Sequence, residues 1–298
     1  MLDGKVISKI ASISSALEVS AYPKPGNVHR LRDFPDMVFE DFLISGIVTG
    51  ETIENAANHV LQVNNLKDAN CGKYILEGVN ETDNWIKNNT NLGILMLQVP
   101  IAQATIISED FNDIQNNIGD LLNNTTVIDA INLYDAINIA DAGGMGDQDE
   151  YDVTSENAKK ELRKNNQTMF DVLEISSQWD QLAYELTNKM PNIFNIGFET
   201  FNNLHHQTSL NNSTLITFLT LLSEIPDTLI SRKYGLDVAK EISNKAKVLL
   251  KNKDDEYFKR DLKYFDDYLY ENKYNPGTTA DLTAASIMLS FLNDAIYK

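Results

Sequence analysis

Two stretches of this acidic chain gather cations beside carboxylates. Residues 21–37, AYPKPGNVHRLRDFPDM, carry Lys24, His29, Arg30 and Arg32 with Asp33 and Asp36. Residues 226–235, PDTLISRKYG, carry Asp227 followed by Arg232 and Lys233. Each is punctuated by proline and glycine next to an apolar-periodic run. The combination suits a polyphosphate bound with Mg2+: the ion takes hard oxygen ligands, one or two carboxylates plus phosphate oxygens and water. Lysine and the planar fork of arginine neutralise the remaining phosphate charge, and backbone N–H groups in glycine-containing turns or at helix N-termini add directed donors. The ordinary reading stands beside this one. Asp36 and Asp227 each follow a proline and precede a helical pattern, which is where N-caps sit.

Three further places can take part. In NPGTTADLTAAS (275–286), Thr278 and Asp281 have the spacing of a helix-start capping box, and Asp281 could instead point from that start into a pocket. In NNTNLG (88–93), Asn89, Thr90 and Asn91 can cap the apolar helix that follows or bind a ribose or base. In DAGGMGDQDEYD (141–152) the glycines fail as a P-loop, with no lysine and no preceding strand. His205 and His206 are adjacent, and on a helix they would point about 100° apart, so they do not form the usual i, i+4 metal pair. Cys71, the only cysteine, reads as a buried thiol, and His59 as a packing or surface residue.

These residues have to be held by helices. Apolar residues recur at three- and four-residue steps in VISKIASISSALEV, where Val6, Ile10, Ile13 and Leu17 share a face, and in 39–48, 52–66, 126–140, 168–186, 215–225, 236–250, 256–270 and 280–296. No run alternates strictly. The stretch 92–107 reads as a buried helix bent at Pro100, too short to span a bilayer. Segments 22–36, 141–153, 226–235 and 271–279 read as loops. The expectation is an all-α fold of roughly a dozen helices, with residues 1–298 forming one compact domain. A net charge of −18 argues against nucleic acid and anionic membranes as partners. The N-terminal segment shows no export signal, which points to the cytoplasm, and a monomer and a homodimer both stay open.

Taken together, the motifs resemble the triphosphoribosyl-dephospho-CoA synthase family. ALEVSAYPKPGNV followed by DM, EDF and SG is similar to its N-terminal signature of Glu, Pro-Lys-Pro-Gly, Asp-Met, Phe and Ser. NTNLG stands where the family has Asn-Thr-His-Lys-Gly. PDTLISRKYG is similar to its Asp-Thr-x-x-x-Arg segment, and NPGTTADLTAAS to its C-terminal Ser-Pro-Gly-Gly-Ser-Ala-Asp-Leu segment. The order agrees across most of the chain, with closer likeness to the archaeal branch. The resemblance implies an all-α enzyme that moves the 5-triphosphoribosyl group of ATP to the 2′-hydroxyl of 3′-dephospho-CoA and releases adenine, with ATP as substrate and Mg2+ as cofactor. It implies Asp36, Asp227 and Asp281 as metal-binding or general-base carboxylates and Glu18 as a further catalytic candidate. Lys24 and Arg232, with Arg30 and Lys233, would bind phosphates. Gly26 would let the backbone approach them, and Asn89, Thr90 and Asn91 would line the sugar or base site. The chain departs from the pattern at Asn91 and Leu92, which replace a histidine and a lysine. Two other functions compete: a nucleotide N-glycosidase or ADP-ribosyl-hydrolase-like enzyme in which water replaces the acceptor, and a non-catalytic helical scaffold whose motifs are scattered caps.

Overall fold

The computed structural model describes residues 2–141, 153, 155 and 157–297. The glycines of DAGGMG lie outside them. The chain opens with α1 (Gly4–Ser20), α2 (Phe39–Val48), α3 (Gly50–Val60), α4 (Cys71–Trp85) and α5 (Leu92–Ile107). There follow α6 (Phe111–Asn123), α7 (Val127–Ile139), α8 (Ala158–Asn165), α9 (Met169–Ser176) and α10 (Gln181–Thr187). A π-turn at Ile193–Phe198 leads into α11 (Glu199–Leu204), and then come α12 (Leu210–Glu224), α13 (Thr228–Tyr234), α14 (Leu236–Lys251), α15 (Phe258–Glu271) and α16 (Gly277–Ile296). Among the described residues there is no strand, only an isolated bridge between His29 and Arg32. The all-α expectation holds, and short helices raise the number above a dozen.

Helix α5 is apolar on every side and is accordingly buried from Ile94 to Ile106. It runs through Pro100 as one element. Its two glutamines, which interrupt the hydrophobic run, act as cross-links. Gln98 donates to the Ala11 carbonyl and to Ser14 Oγ and Ser15 Oγ at 2.9–3.2 Å, and Gln103 donates to the Ala69 carbonyl at 2.7 Å. This pairing turns α1 away from the face expected for it. Its buried side is Ile7, Ile10, Ala11, Ser14 and Glu18, and Ile13 is 45% exposed.

A second, smaller core forms between α12, α14 and α15, with Phe218, Leu222, Ile242 and Leu269 at its centre. Helix α16 joins the two: Leu282, Ala285, Met288 and Leu289 enter the first and Ala280 the second. Buried hydroxyls on α16 stay satisfied by bonding back one turn, Thr283 to the Thr279 carbonyl and Ser286 to the Leu282 carbonyl, both at 2.7 Å.

Two expected elements differ. The helix read over 168–186 breaks after α9, because Asp180 caps a new one: its Oδ1 accepts from Ala183 N at 3.0 Å. The loop read over 226–235 contains α13, closed at Gly235, whose φ of 95° suits glycine.

Candidate active site

The basic loop that opens the chain's chemistry is mostly a fastener. His29 Nε2 lies 3.3 Å and Arg32 NH1 3.4 Å from the buried carboxylate of Asp266 on α15, and Arg32 also pairs with Asp267. Arg32 stacks over Tyr270 and Arg30 over Tyr22, while Arg30 also donates to the Ser20 carbonyl and Asn211. Gly26, with φ 69°, donates its N–H to Asp266 at 3.0 Å, and a Cβ there would collide with the Tyr274 carbonyl and Leu269. Arg30 and Gly26 therefore face α12 and α15, not a phosphate site. Gly26 is needed for close packing, and Arg30 is held by an exposed ring and a carbonyl.

Lys24 turns the other way. It is fully buried, ion-paired with the Glu18 carboxylate, and donates to the Glu18 carbonyl at 3.1 Å. Burial pushes the Glu18 carboxyl up and the Lys24 ammonium down, each partly offset by the other. Lys24 thus sits behind Glu18, and Glu18 faces the adjoining cleft.

That cleft, about 440 Å³, is where the separate motifs meet. Its wall includes Glu18 from the end of α1, Asp36 and Met37 from the loop, Asn89 to Ile94 at the start of α5, Leu229, Arg232 and Lys233 from α13, and Gly277, Thr278, Ala280 and Asp281 at the start of α16. The N-termini of α5 and α16 both open into it, and each carries partial positive charge. A larger hollow of 710 Å³ between α1 and α3, lined by Ser8, Ser12, Glu51 and Glu54 among others, contains none of these residues.

Asp281 lies on the cleft wall, and among the described residues nothing donates a hydrogen bond or ion pair to its carboxylate. Burial, with Glu18, Asp227 and Asp180 nearby, holds it well above the usual carboxylate range, against the pull of Arg232. Arg232 pairs through NH1 with Asp180, while its buried Nε has no partner. The buried Thr90 hydroxyl is likewise unpartnered. Buried polar atoms are normally satisfied, so two orphans on one cleft mark positions a ligand would fill.

Asp227 corrects the sequence reading. Its Oδ1 accepts from Leu229 N and Ile230 N and its Oδ2 from Thr279 N and Oγ1, at 2.8–3.1 Å. It is 2% exposed and off the cleft wall. All its acceptor capacity is spent capping α13 and tying it to α16, so it is a structural cap and not a metal ligand. Asp36 is exposed on the rim and caps nothing; Asp33 accepts from Phe39 N at the start of α2 instead. The three aspartates expected to form one metal set therefore do not converge. Among the described residues the only group of three potential ligands within 4.8 Å is His205, His206 and Asp294. Asn89 accepts from Leu92 N, and Asn91 donates to Thr82 Oγ1 at 2.9 Å; both line the cleft while bracing α5.

Several wall residues escaped sequence reasoning. A Cβ on Gly93 would collide with the Asp281 carboxylate, so this glycine makes the room that Asp281 occupies. Asp180, which pairs with Arg232 from off the wall, was hidden in what read as helix interior. Asn27 donates to Asn275 at 2.9 Å, tying the loop to the Pro276 turn. Asp83 and Lys87 form an exposed pair at the rim; their i, i+4 spacing was readable, their place was not.

Comparison with known proteins agrees with the converging motifs. A search of curated proteins returns no match. Among solved structures, a crystal structure from Archaeoglobus fulgidus, described as a candidate triphosphoribosyl-dephospho-CoA synthase, superposes with a TM-score of 0.66 at 21% identity, covering 84% of this chain and 98% of the other; at that identity it speaks for the fold. The sequence model of the CitG family, ATP:dephospho-CoA triphosphoribosyl transferase, matches residues 5–298. The chain belongs to this family of transferases.

Proposed function

We propose that the protein transfers the 5-triphosphoribosyl group of ATP to the hydroxyl of a nucleotide-type acceptor, 3′-dephospho-CoA or a close relative, with release of adenine. The observation that carries this is the unpaired, more basic Asp281 carboxylate in a cleft that also holds the unpartnered Arg232 Nε and Thr90 hydroxyl. The bond from ribose C1′ to adenine N9 breaks and a bond from C1′ to the acceptor oxygen forms. The acceptor's proton is lost to the enzyme and a proton ends on the departing adenine. Positive charge develops at C1′, as in glycoside chemistry.

Asp281 is the candidate proton acceptor, since a raised pKa makes a carboxylate a stronger base and no protein donor competes for it. The adjacent Glu18 adds negative charge that favours the oxocarbenium-like state. Arg232 binds the triphosphate through its free Nε edge, with Lys233 beside it, and Thr90 and Asn91 contact the sugar. Mg2+ fits the donor set. The charged wall residues are Glu18, Asp36, Asp83, Asp141 and Asp281 against Lys87, Arg232 and Lys233, all hard oxygen donors on the acidic side, and Asp36 has no protein partner among the described residues. When bound, the ion would neutralise phosphate charge, with Asp36 as its protein ligand.

The test is adenine release from ATP and Mg2+ across a panel of acceptors that includes dephospho-CoA, with the product followed by mass spectrometry. Adenine should appear together with an acceptor adduct, and Asp281→Asn should lower kcat about 10²- to 10⁴-fold, the usual scale of general-base catalysis. In the wild type, activity should rise with pH through a value above the ordinary carboxylate range, and the variant should lose that limb. Adenine with free triphosphoribose and no adduct would replace this reading with hydrolysis. No adenine with any acceptor would end it.

A further inference from the structure

At the end of the molecule where α16 terminates, His205 and His206 follow α11 and face Asp294. Helix α11 ends at Leu204 with His205 as its C-cap and His206 beyond it, and the two rings are nonetheless brought together. Their ring centroids are 3.7 Å apart. His205 Nε2 lies 3.1 Å from one oxygen of Asp294 and His206 Nε2 3.3 Å from the other.

We propose that His205, His206 and Asp294 form a binding site for a first-row transition metal ion, Zn2+ being the best suited. Three independent features carry this. First, His205 Nδ1 lies 3.2 Å from each of the Phe201 and Asn202 carbonyls, and carbonyls only accept, so Nδ1 bears the proton. Nε2 is left to face Asp294, where it donates when protonated and would ligate an ion once that proton is lost; an imidazole fixed by Nδ1–H to a backbone carbonyl is the usual second shell of a metal-ligating histidine. Second, the separations suit the ion. Bonds of about 2.0–2.1 Å in a tetrahedron place ligand atoms about 3.3 Å apart, and one ligand atom from each of the three residues already lies within 4.8 Å of the others, so that small side-chain rotations would reach that spacing. Third, α11 and α16 both present C-terminal ends to the site, and helix C-termini favour a cation.

His205 is buried and stacked on Phe201, while His206 is 66% exposed at its side chain. The site therefore opens to solvent on one side, leaving a fourth position for water. Two imidazoles select Zn2+, Co2+ or Ni2+ over Mg2+. Binding uses both histidines as neutral ligands through Nε2 and releases any proton held there. The ion would pin α11 to the last turn of α16.

The test uses the full chain stripped with a chelator. Titration with Zn2+, followed by calorimetry and by the visible bands of Co2+ as a spectroscopic substitute, should give one tetrahedral site per chain and a higher Tm. His206→Ala, chosen because the residue is exposed and its loss leaves the fold intact, should weaken Zn2+ binding tenfold or more and abolish the Tm rise. Asp294→Asn should weaken it as well, and Asp281→Asn in the cleft should leave it unchanged. Absence of stoichiometric binding in the wild type, or equal binding in His206→Ala, overturns the proposal; in either case the cluster is only an ion pair between imidazolium and carboxylate.

Discussion

Replacing Lys24 by methionine isolates what the buried Glu18–Lys24 pair does. Methionine keeps most of the apolar stem but removes the charge that faces Glu18. In the wild type, burial raises the Glu18 carboxyl, while the charge and hydrogen bond of Lys24 pull it down. Removing Lys24 deletes both lowering influences and leaves burial unopposed, so the carboxyl rises further. The folded variant then keeps a proton that the unfolded chain releases near the ordinary value of 4.5. Above that pH the folded state binds more protons than the unfolded one, so stability falls as pH rises, by about 1.4 kcal/mol per unit over the window. Below the ordinary value the deficit disappears.

At pH 8 the expected cost is that of breaking a buried pair, about 3–5 kcal/mol. Unfolding entropy of about 2.1 cal/mol/K per residue over this chain converts 4 kcal/mol into a Tm loss of about 6 °C. At pH 5 the loss should be much smaller. The double variant Glu18→Gln/Lys24→Met removes both charges and should recover to within about 1 kcal/mol of wild type. Denaturation of the three proteins at the two pH values decides the matter. An equal loss at both pH values, or a double variant no more stable than the single, would refute the assignment of Lys24 as the counter-charge of Glu18. The double variant also separates two roles: if Lys24 instead reaches the triphosphate, stability returns while ATP binding stays weak.

Two more substitutions probe the cleft. Gly93→Ala should lower activity tenfold or more with little change in Tm, because its methyl group enters the space of the partly buried Asp281 carboxylate at the cleft and not the core; full activity in this variant would remove Asp281 from the chemistry. Arg232→Met should raise the Kd for ATP–Mg2+ at least tenfold, the scale of one lost charge-assisted contact, whereas Arg30→Met should leave it unchanged because Arg30 faces α12; calorimetry of the two variants tests the contrast, and a reversed order would mean that the loop, not α13, grips the phosphates.

The helices were legible wherever a stripe of apolar residues was long, and α12, α14, α15 and α16 fall close to their expected ranges. What was not legible depended on polar residues choosing between local and distant partners. Asp227 and Asp281 sit in similar Pro-rich or Gly-rich helix starts, yet one is consumed by four donors and the other is left free; only the packing of α13 against α16 decides which. Asp180 interrupts an apolar pattern that periodicity alone carries through, because a side-chain cap at Ala183 outweighs the stripe. Gly93 looked like part of a cap sequence, and its role appears only when α16 is brought over the start of α5.

The fate of the basic loop reverses the electrostatic problem the site must solve. His29, Arg30 and Arg32 are spent on α15, on Tyr22 and on backbone, and Lys24 is spent on Glu18. The cleft wall keeps Arg232, Lys233 and Lys87, of which Arg232 is paired with Asp180 and Lys87 with Asp83. Neither Asn91 nor Leu92 at the start of α5 supplies a cation. A triphosphate entering this cleft meets an excess of carboxylates, and at an effective dielectric of about 20 each like-charge pair at 4 Å opposes it by about 4 kcal/mol. Protein cations alone cannot offset that. If ATP is the substrate, as proposed, it would arrive with its divalent ion, and the carboxylates that repel bare ATP would favour the complexed form. On the proposed reading, the chain would rely on Asp36 and the ion more than on side-chain cations.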